Sequence, residues 1–199
     1  MVDGINAEGM NRRAAVARLL AACDGALVVT GLGSPTYDVH AAGDAANNYY
    51  LWGAMGGAAL VGLGVAQAQP DKRVMVITGD GEQLMAFGAL ATIAVAGPKN
   101  LDILVLDNQH FGETGMQGSH TGQGIDLSQV AAACGFAETG LLQSLEEVDA
   151  LCDRLGQAAT GPRLFVLKIK AENLPRSLPP RDATYIKTRF RDHLGFAPC

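Results

Sequence analysis

Runs of apolar and β-branched residues alternate along the chain with longer stretches of helical spacing. Asn11 followed by RRAAVARLLAAC reads as a capped amphipathic helix, and ALVVT (26–30) as a buried strand that stops at the turn-rich GLGSP. Residues 54–68, AMGGAALVGLGVAQA, are apolar on nearly every side and rich in small residues. They predict a buried helix held tightly against its neighbours despite the propensity cost of Gly. RVMVIT (73–78) is a strand ending at Gly79-Asp80-Gly81, and EQLMAFGALATIAVAG continues with helical spacing to Gly97-Pro98. LDILVLD (101–107) is the next strand, and from Asn108 to Ile125 glycines recur without a period, which predicts a long functional loop. DLSQVAAACG predicts a short helix, GFAETG a short strand, SLEEVDALCDRLGQA a helix and PRLFVLKIK a last strand. The polar, proline-bearing tail over 171–199 reads as a C-terminal arm wrapped on the surface or on another subunit.

Strands that are continuous apolar runs, alternating with helices, predict an α/β class protein. The expected architecture is a three-layer α/β/α sandwich around a mainly parallel central sheet. With 199 residues, 48% of them apolar, the chain suffices for one well-buried core, so residues 1–199 are expected to form a single domain. A net charge of −5 with scattered basic residues gives no electrostatic footprint for nucleic acid. No apolar run reaches the roughly 18–20 residues that cross a bilayer, and the first residues lack the charged-then-apolar order of a secretion signal, so a cytoplasmic location without membrane contact is expected. Cys23, Cys134, Cys152 and Cys199 are far apart with no C-x-x-C, so the usual local spacing of a zinc or iron–sulfur site is missing.

In sheets of this kind ligands sit beyond the carboxyl ends of the strands, where Gly79-Asp80-Gly81 and Asp107-Asn108 both fall. A carboxylate at a strand end, flanked by glycines and followed by a helix N-terminus, suits a metal–diphosphate complex. The glycines admit phosphate oxygens to backbone N–H groups, the helix dipole favours negative charge, and the Asp is a hard oxygen ligand. Alone, the tripeptide is equally a plain turn. Asn108, 28 positions after Asp80 at the end of the next strand, offers a second hard oxygen that adjacent parallel strands would bring alongside.

The segment GDGEQLMAFGALATIAVAGPKNLDILVLDNQHFG resembles the signature of the thiamine diphosphate enzymes: GDG, a helix and strand, then an Asn-bearing turn. The resemblance implies that Asp80, Asn108 and the backbone carbonyl of His110 hold Mg²⁺, or another divalent cation such as Ca²⁺. It makes Gly79, Gly81 and Glu82 part of the cofactor-binding turn. Many members have Asn-Asn where this chain has Asp107-Asn108, a departure at the non-ligating position. Upstream, LWGAMGGAALVGLG resembles the segment that holds the aminopyrimidine, which implies a Gly53 carbonyl acceptor and makes Met55 the wedge that bends the cofactor. The bend sets the amino group beside the proton it removes. The lesser alternative is that Met55 merely begins a core helix. GLGSP resembles the turn that contacts the diphosphate, which adds Gly33 and Ser34.

The family also needs a Glu that activates the pyrimidine from a separate domain, and the resemblance here covers only the diphosphate-binding domain. It therefore implies a pyrimidine-binding α subunit that supplies this Glu, in a hetero-oligomer of paired dimers. The loop HFGETGMQGSHTGQGIDL and the tail PPRDATYIKTRFRDHLG look most like the β subunits of sulfopyruvate decarboxylase and the homologous part of phosphonopyruvate decarboxylase. They imply decarboxylation of a small 2-oxo acid. Glu113 and His120 are the candidate catalytic residues, Glu113 being an acid–base group or a solvated loop carboxylate. Other readings are the β subunit of a 2-oxo acid oxidoreductase or of another thiamine diphosphate-dependent C–C lyase or synthase, and a non-catalytic cofactor-binding module.

Overall fold

The computed structural model describes residues 9–196. In chain order the strands are β1 (Leu27–Thr30), β2 (Asn48–Tyr50), β3 (Val74–Gly79), β4 (Leu101–Asp107), β5 (His110–Phe111), β6 (Gln117–Gly118), β7 (Glu138–Leu142) and β8 (Arg163–Lys168). The α-helices are α1 (Arg12–Ala22), α2 (Ser34–Ala42), α3 (Ala58–Ala68), α4 (Asp80–Met85), α5 (Ala89–Ala96), α6 (Leu127–Cys134), α7 (Leu145–Leu155) and α8 (Ala183–His193). Six strands form one sheet in the order β2-β1-β3-β4-β8-β7, and its pairings are all parallel. β5 and β6 form a separate antiparallel hairpin in the loop after β4.

Every residue of β1 and β4 is buried, as expected of a parallel sheet covered on both faces. Helices α1, α2 and α7 cover one face, where Val16, Leu19, Val39 and Leu151 pack with Met75, Ile77 and Phe165. Helices α3, α5 and α6 cover the other, where Leu63, Leu90, Ile93 and Leu127 pack with Val29, Val76, Ile103 and Val166. Removing each such side chain from water contributes about 1.5–3 kcal/mol. The small residues of α3 permit a close approach to the sheet, since a Cβ on Gly62 would stand 2.2 Å from Val76 Cγ2. The three-layer α/β/α expectation is met.

Local expectations are corrected in four places. Of the turn expected at GLGSP, Ser34 and Pro35 already belong to a helix, α2, which runs over residues 34–42 and was not anticipated. Asp38 on its inner face disguised it; that carboxylate is 1% exposed because Arg12 and Arg13 both bind it, at 2.6 and 3.0 Å. The helix expected after Gly81 is two helices, broken at Ala86–Gly88. The strand expected in GFAETG starts later, at Glu138, because Gly135 is the left-handed C-cap of α6. The arm from 171 holds a helix as well: Asp182 caps α8, and Ile186 and Phe190, four residues apart, are buried. α8 packs beside β2, its Phe190 ring 5.5 Å from that of Tyr49.

Among the described residues no helix is long and apolar enough to cross a membrane. Cys23, Cys134 and Cys152 are free thiols, and Cys199 lies outside the described residues, as do residues 1–8 at the other end of the expected domain.

Candidate functional site

Three adjacent strands, β1, β3 and β4, end on the same side, so Gly31, Asp80 and Asn108 are brought together by topology. A cavity of about 350 Å³ opens there, lined by Ser34, Met55, Gly79, Asp80, Gly81, Glu82, Asn108, His110, Glu113 and others. That volume falls within the usual range for small-molecule pockets. Gly33 adjoins it, since a Cβ there would meet Glu113 at 2.8 Å. Gly53 is exposed two residues before Met55 and is not a lining residue. His120 is exposed at the start of the short helical turn His120–Gln123, and the fold does not bring it to this cavity.

Asp80 is 2% exposed, and its Oδ2 accepts hydrogen bonds from Ser119 and, at 3.1 Å, from Thr121. The Thr121 hydroxyl also lies 2.7 Å from Asp107 Oδ1, so one hydroxyl proton stands between two buried carboxylates. Burial first, and then the negative charge of Asp107, push the Asp80 carboxyl up to about 6. Lys168 Nζ lies 2.5 Å from Asp107 Oδ2 and neutralises that carboxylate, leaving the Asp80 charge without a cation of its own in the ion pairs of the described residues. The donor chemistry therefore fits a divalent cation. No group of three His, Cys, Asp or Glu side chains among the described residues could hold a metal, so the protein offers a partial set of oxygens. That is how Mg²⁺ is usually held, by one or two carboxylates with phosphate oxygens and water filling the rest.

The turn after β4 is built by its own side chains. Asp107 Oδ1 accepts from the Gln109 N–H and Asn108 Oδ1 from the His110 N–H, both at 2.9 Å. Between them Gln109 takes a left-handed conformation, φ 63°, which non-glycine residues rarely adopt. Gly81 is required by close approach, since a Cβ there would stand 2.7 Å from Phe111. The dipole argument is weaker than the sequence suggested, because α4 has only 6 residues.

Glu82 organises the cavity wall. Its carboxylate, on a residue 3% exposed, accepts from the N–H groups of Leu32 at 2.9 Å, Gly56 at 3.3 Å and Ala58 at 3.4 Å. It thus ties the turn after β1 and the Met55 loop to α4. Burial raises its pKa, and the three N–H groups act against that rise. Gly31 makes room for it, because a Cβ at 31 would meet Glu82 Oε2 at 1.8 Å. Glu82→Ala would leave three N–H donors unsatisfied. It is expected to lower stability by at least about 3 kcal/mol in a urea titration, as buried orphan donors cost about 1–3 kcal/mol each.

Reading the sequence missed Ser119, Thr121 and Lys168. The signal for Lys168 was a lone cation at the end of the apolar strand RLFVLK; the hydroxyls were hidden in a loop without periodicity.

Comparisons with known proteins point to one family. A family model described as the thiamine pyrophosphate enzyme, C-terminal TPP binding domain, matches residues 31–169. Sulfopyruvate decarboxylase subunit beta of Methanothermobacter thermautotrophicus is 34% identical over 181 residues, 91% of this chain and 94% of that one. Phosphonopyruvate decarboxylase of Streptomyces viridochromogenes is 41% identical over 198 residues, 98% of this chain and 49% of that one. The chain spans 64% of another such subunit, from Methanocaldococcus jannaschii, and about half of the two phosphonopyruvate decarboxylases it matches. Among solved structures, benzoylformate decarboxylase from Polynucleobacter necessarius superposes with a TM-score of 0.70 over 88% of this chain and 36% of that one, at 17% identity, a likeness of fold.

Proposed function

Since the chain belongs to the thiamine pyrophosphate enzymes, matching their C-terminal TPP binding domain, we propose that it is the β subunit of a two-subunit decarboxylase of small 2-oxo acids. The observation that carries this reading is the convergence of Asp80, Asn108, Met55 and Glu113 on one cavity at the ends of adjacent parallel strands. Relatives named sulfopyruvate decarboxylase subunit beta support the subunit assignment, and the phosphonopyruvate decarboxylases support the same reaction class.

Asp80, the Asn108 amide oxygen and the His110 carbonyl would hold Mg²⁺, and through it the diphosphate of thiamine diphosphate. Ser34, Gly33 and the turn Gly79–Glu82 would line the diphosphate, with Glu82 acting through the backbone it fixes. Met55 would support the bent cofactor, and Gly53 would contact its pyrimidine from the neighbouring loop. When bound, the cofactor supplies the electron sink that lets carbon dioxide leave. The chain's own part is to neutralise phosphate charge, exclude water from the apolar wall of Met55, Leu106 and Ile169, and set the Glu113 carboxyl at the mouth for proton transfer.

The activating Glu is assigned to a pyrimidine-binding partner. Support comes from Met85, 62% exposed where it lines the cavity, and from Leu60 on α3 and Phe87 after α4, large apolar side chains exposed by 43% and 44%. Exposed apolar surface of this kind marks interaction sites. The test is aldehyde release from 3-sulfopyruvate, 3-phosphonopyruvate and pyruvate with thiamine diphosphate and Mg²⁺. The chain alone is expected to be inactive and the complex with its pyrimidine-domain partner active. Full turnover by the isolated chain would sink the split-site reading. A visible iron–sulfur band with electron transfer in the complex would favour an oxidoreductase instead.

A further inference from the structure

A second recess, polar rather than apolar, adjoins the cofactor cavity and shares Arg12, Ser34, Gly112 and Glu113 with it. Its far wall is the segment 171–182, which returns from β8 across the face of α1 and α2. That segment is fastened along its length. Arg12 Nη1 donates to the Glu172 carbonyl at 2.6 Å, and Arg13 donates to that of Pro175. Ser177 Oγ lies 2.8 Å from His40 Nδ1, and Trp52 Nε1 donates to the Pro180 carbonyl at 2.9 Å. These ties hold Arg176 over the recess, its guanidinium 5.7 Å from the centre of the Tyr37 ring and 3.3 Å from Glu113 Oε2.

We propose that this recess is the subsite for the anionic head of the substrate, a sulfonate or phosphonate, with Arg176 as its specificity-determining residue and Glu113 holding Arg176 in place while the site is empty. The proposal rests on the decarboxylase reading and adds a residue that selects among 2-oxo acids. Three observations lead to it. Arg12 on the recess wall is paired with Asp38, which it shares with Arg13, and Arg176 is paired with Glu113, so three guanidinium groups stand against two carboxylates and the recess favours an anion. The Arg176–Glu113 pair has side chains 61% and 30% exposed. Solvent-exposed pairs of that kind contribute little, whereas a planar guanidinium binds a phosphonate or sulfonate through two parallel charge-assisted bonds. A tetrahedral anion can therefore displace the carboxylate. Lastly, burial and then the Glu113 charge raise the Tyr37 phenol, which keeps it a neutral hydrogen-bond donor on the recess wall.

The test is the preference of the complex with its partner, measured as kcat/KM for 3-phosphonopyruvate divided by that for pyruvate. Arg176→Met is expected to lower this ratio at least about tenfold, mainly through KM for the phosphonate, and Arg176→Lys to recover part of it. An unchanged ratio would overturn the proposal. So would a raised requirement for thiamine diphosphate at constant ratio, which would assign the recess to the cofactor's diphosphate. A second measurement does not depend on turnover. Trp52, the one tryptophan of the chain, lies 6.4 Å from Tyr37, so its fluorescence should respond saturably to methylphosphonate, and the Arg176→Met chain should not respond. If the complex decarboxylates none of the 2-oxo acids, the functional reading fails, and this titration still decides the subsite: no saturable response in the unmodified chain overturns it.

Discussion

Asp80→Asn is expected to lose metal-dependent cofactor binding by at least about a hundredfold while making the metal-free chain more stable. The two effects have one cause. Asp80 is a buried carboxylate that shares a threonine hydroxyl with Asp107 and has no cation of its own in the ion pairs of the described residues. Without metal the ionised form is disfavoured, and the carboxyl stands at about 6 in the folded chain against 3.8 unfolded. Because the folded value is the higher one, the penalty is absent below about pH 4, grows between about pH 4 and pH 6, and is complete above that. It amounts to something on the order of 3 kcal/mol. An amide removes the penalty, so the melting temperature of the metal-free variant should exceed that of the unmodified chain at pH 7 and converge with it at pH 4. Cofactor affinity should move the opposite way, because a neutral amide is a poor ligand for Mg²⁺ beside a diphosphate. Calorimetric titration with thiamine diphosphate and Mg²⁺ would measure it, and retention of affinity within about twofold would remove Asp80 from the metal site.

Lys168→Met is the second large effect, and it is one of stability. Asp107 is 1% exposed and Lys168 is its cationic partner. Breaking a buried pair by removing one member costs about 3–5 kcal/mol, because the other charge stays behind uncompensated. Here it stays within reach of the hydroxyl that also serves Asp80. Asp107→Asn on the Lys168→Met background should restore most of the loss, since an amide keeps an acceptor for the Gln109 N–H and Thr121 and carries no charge. Urea unfolding of the two single variants and the double variant isolates the pair. Additive losses would show that Lys168 stabilises the chain by packing alone. An aspartate is accommodated at 107 because the neighbouring strand β8 brings Lys168 to it.

Much of this arrangement was legible in the chain. β3 and β4 were marked by continuous apolar runs that stop at polar turns, and a parallel neighbourhood follows from the helices between strands. Asp80 and Asn108 could be paired because each stands at a strand end, where position along the chain converts directly into position in space. What sequence could not show were interactions made between segments remote from one another. The buried face of α2 carries Asp38, whose partners Arg12 and Arg13 lie on α1, so residues 34–42 have no continuous apolar face to mark them as a helix. Glu82 lies beside the GDG turn, yet its role depends on N–H groups from residues 32, 56 and 58. Arg176 stands in a tail without periodicity, and only the ties along 171–182 bring it to Glu113.

α8 bears on a problem every open sheet must solve. β2 is an edge strand, and unpaired edge groups are templates for addition of a strand from another molecule. Arg189 on α8 donates to the Asn48 carbonyl at 3.2 Å and pairs with Asp44 at 2.7 Å, while Ile186 and Phe190 seal the two faces of the sheet beside it. The helix thus occupies the place where an intruding strand would dock, which protects this end of the sheet from self-association. At the opposite edge, β7, the Glu138–Arg154 ion pair places charge at the strand's start, where a flat apolar edge would invite pairing.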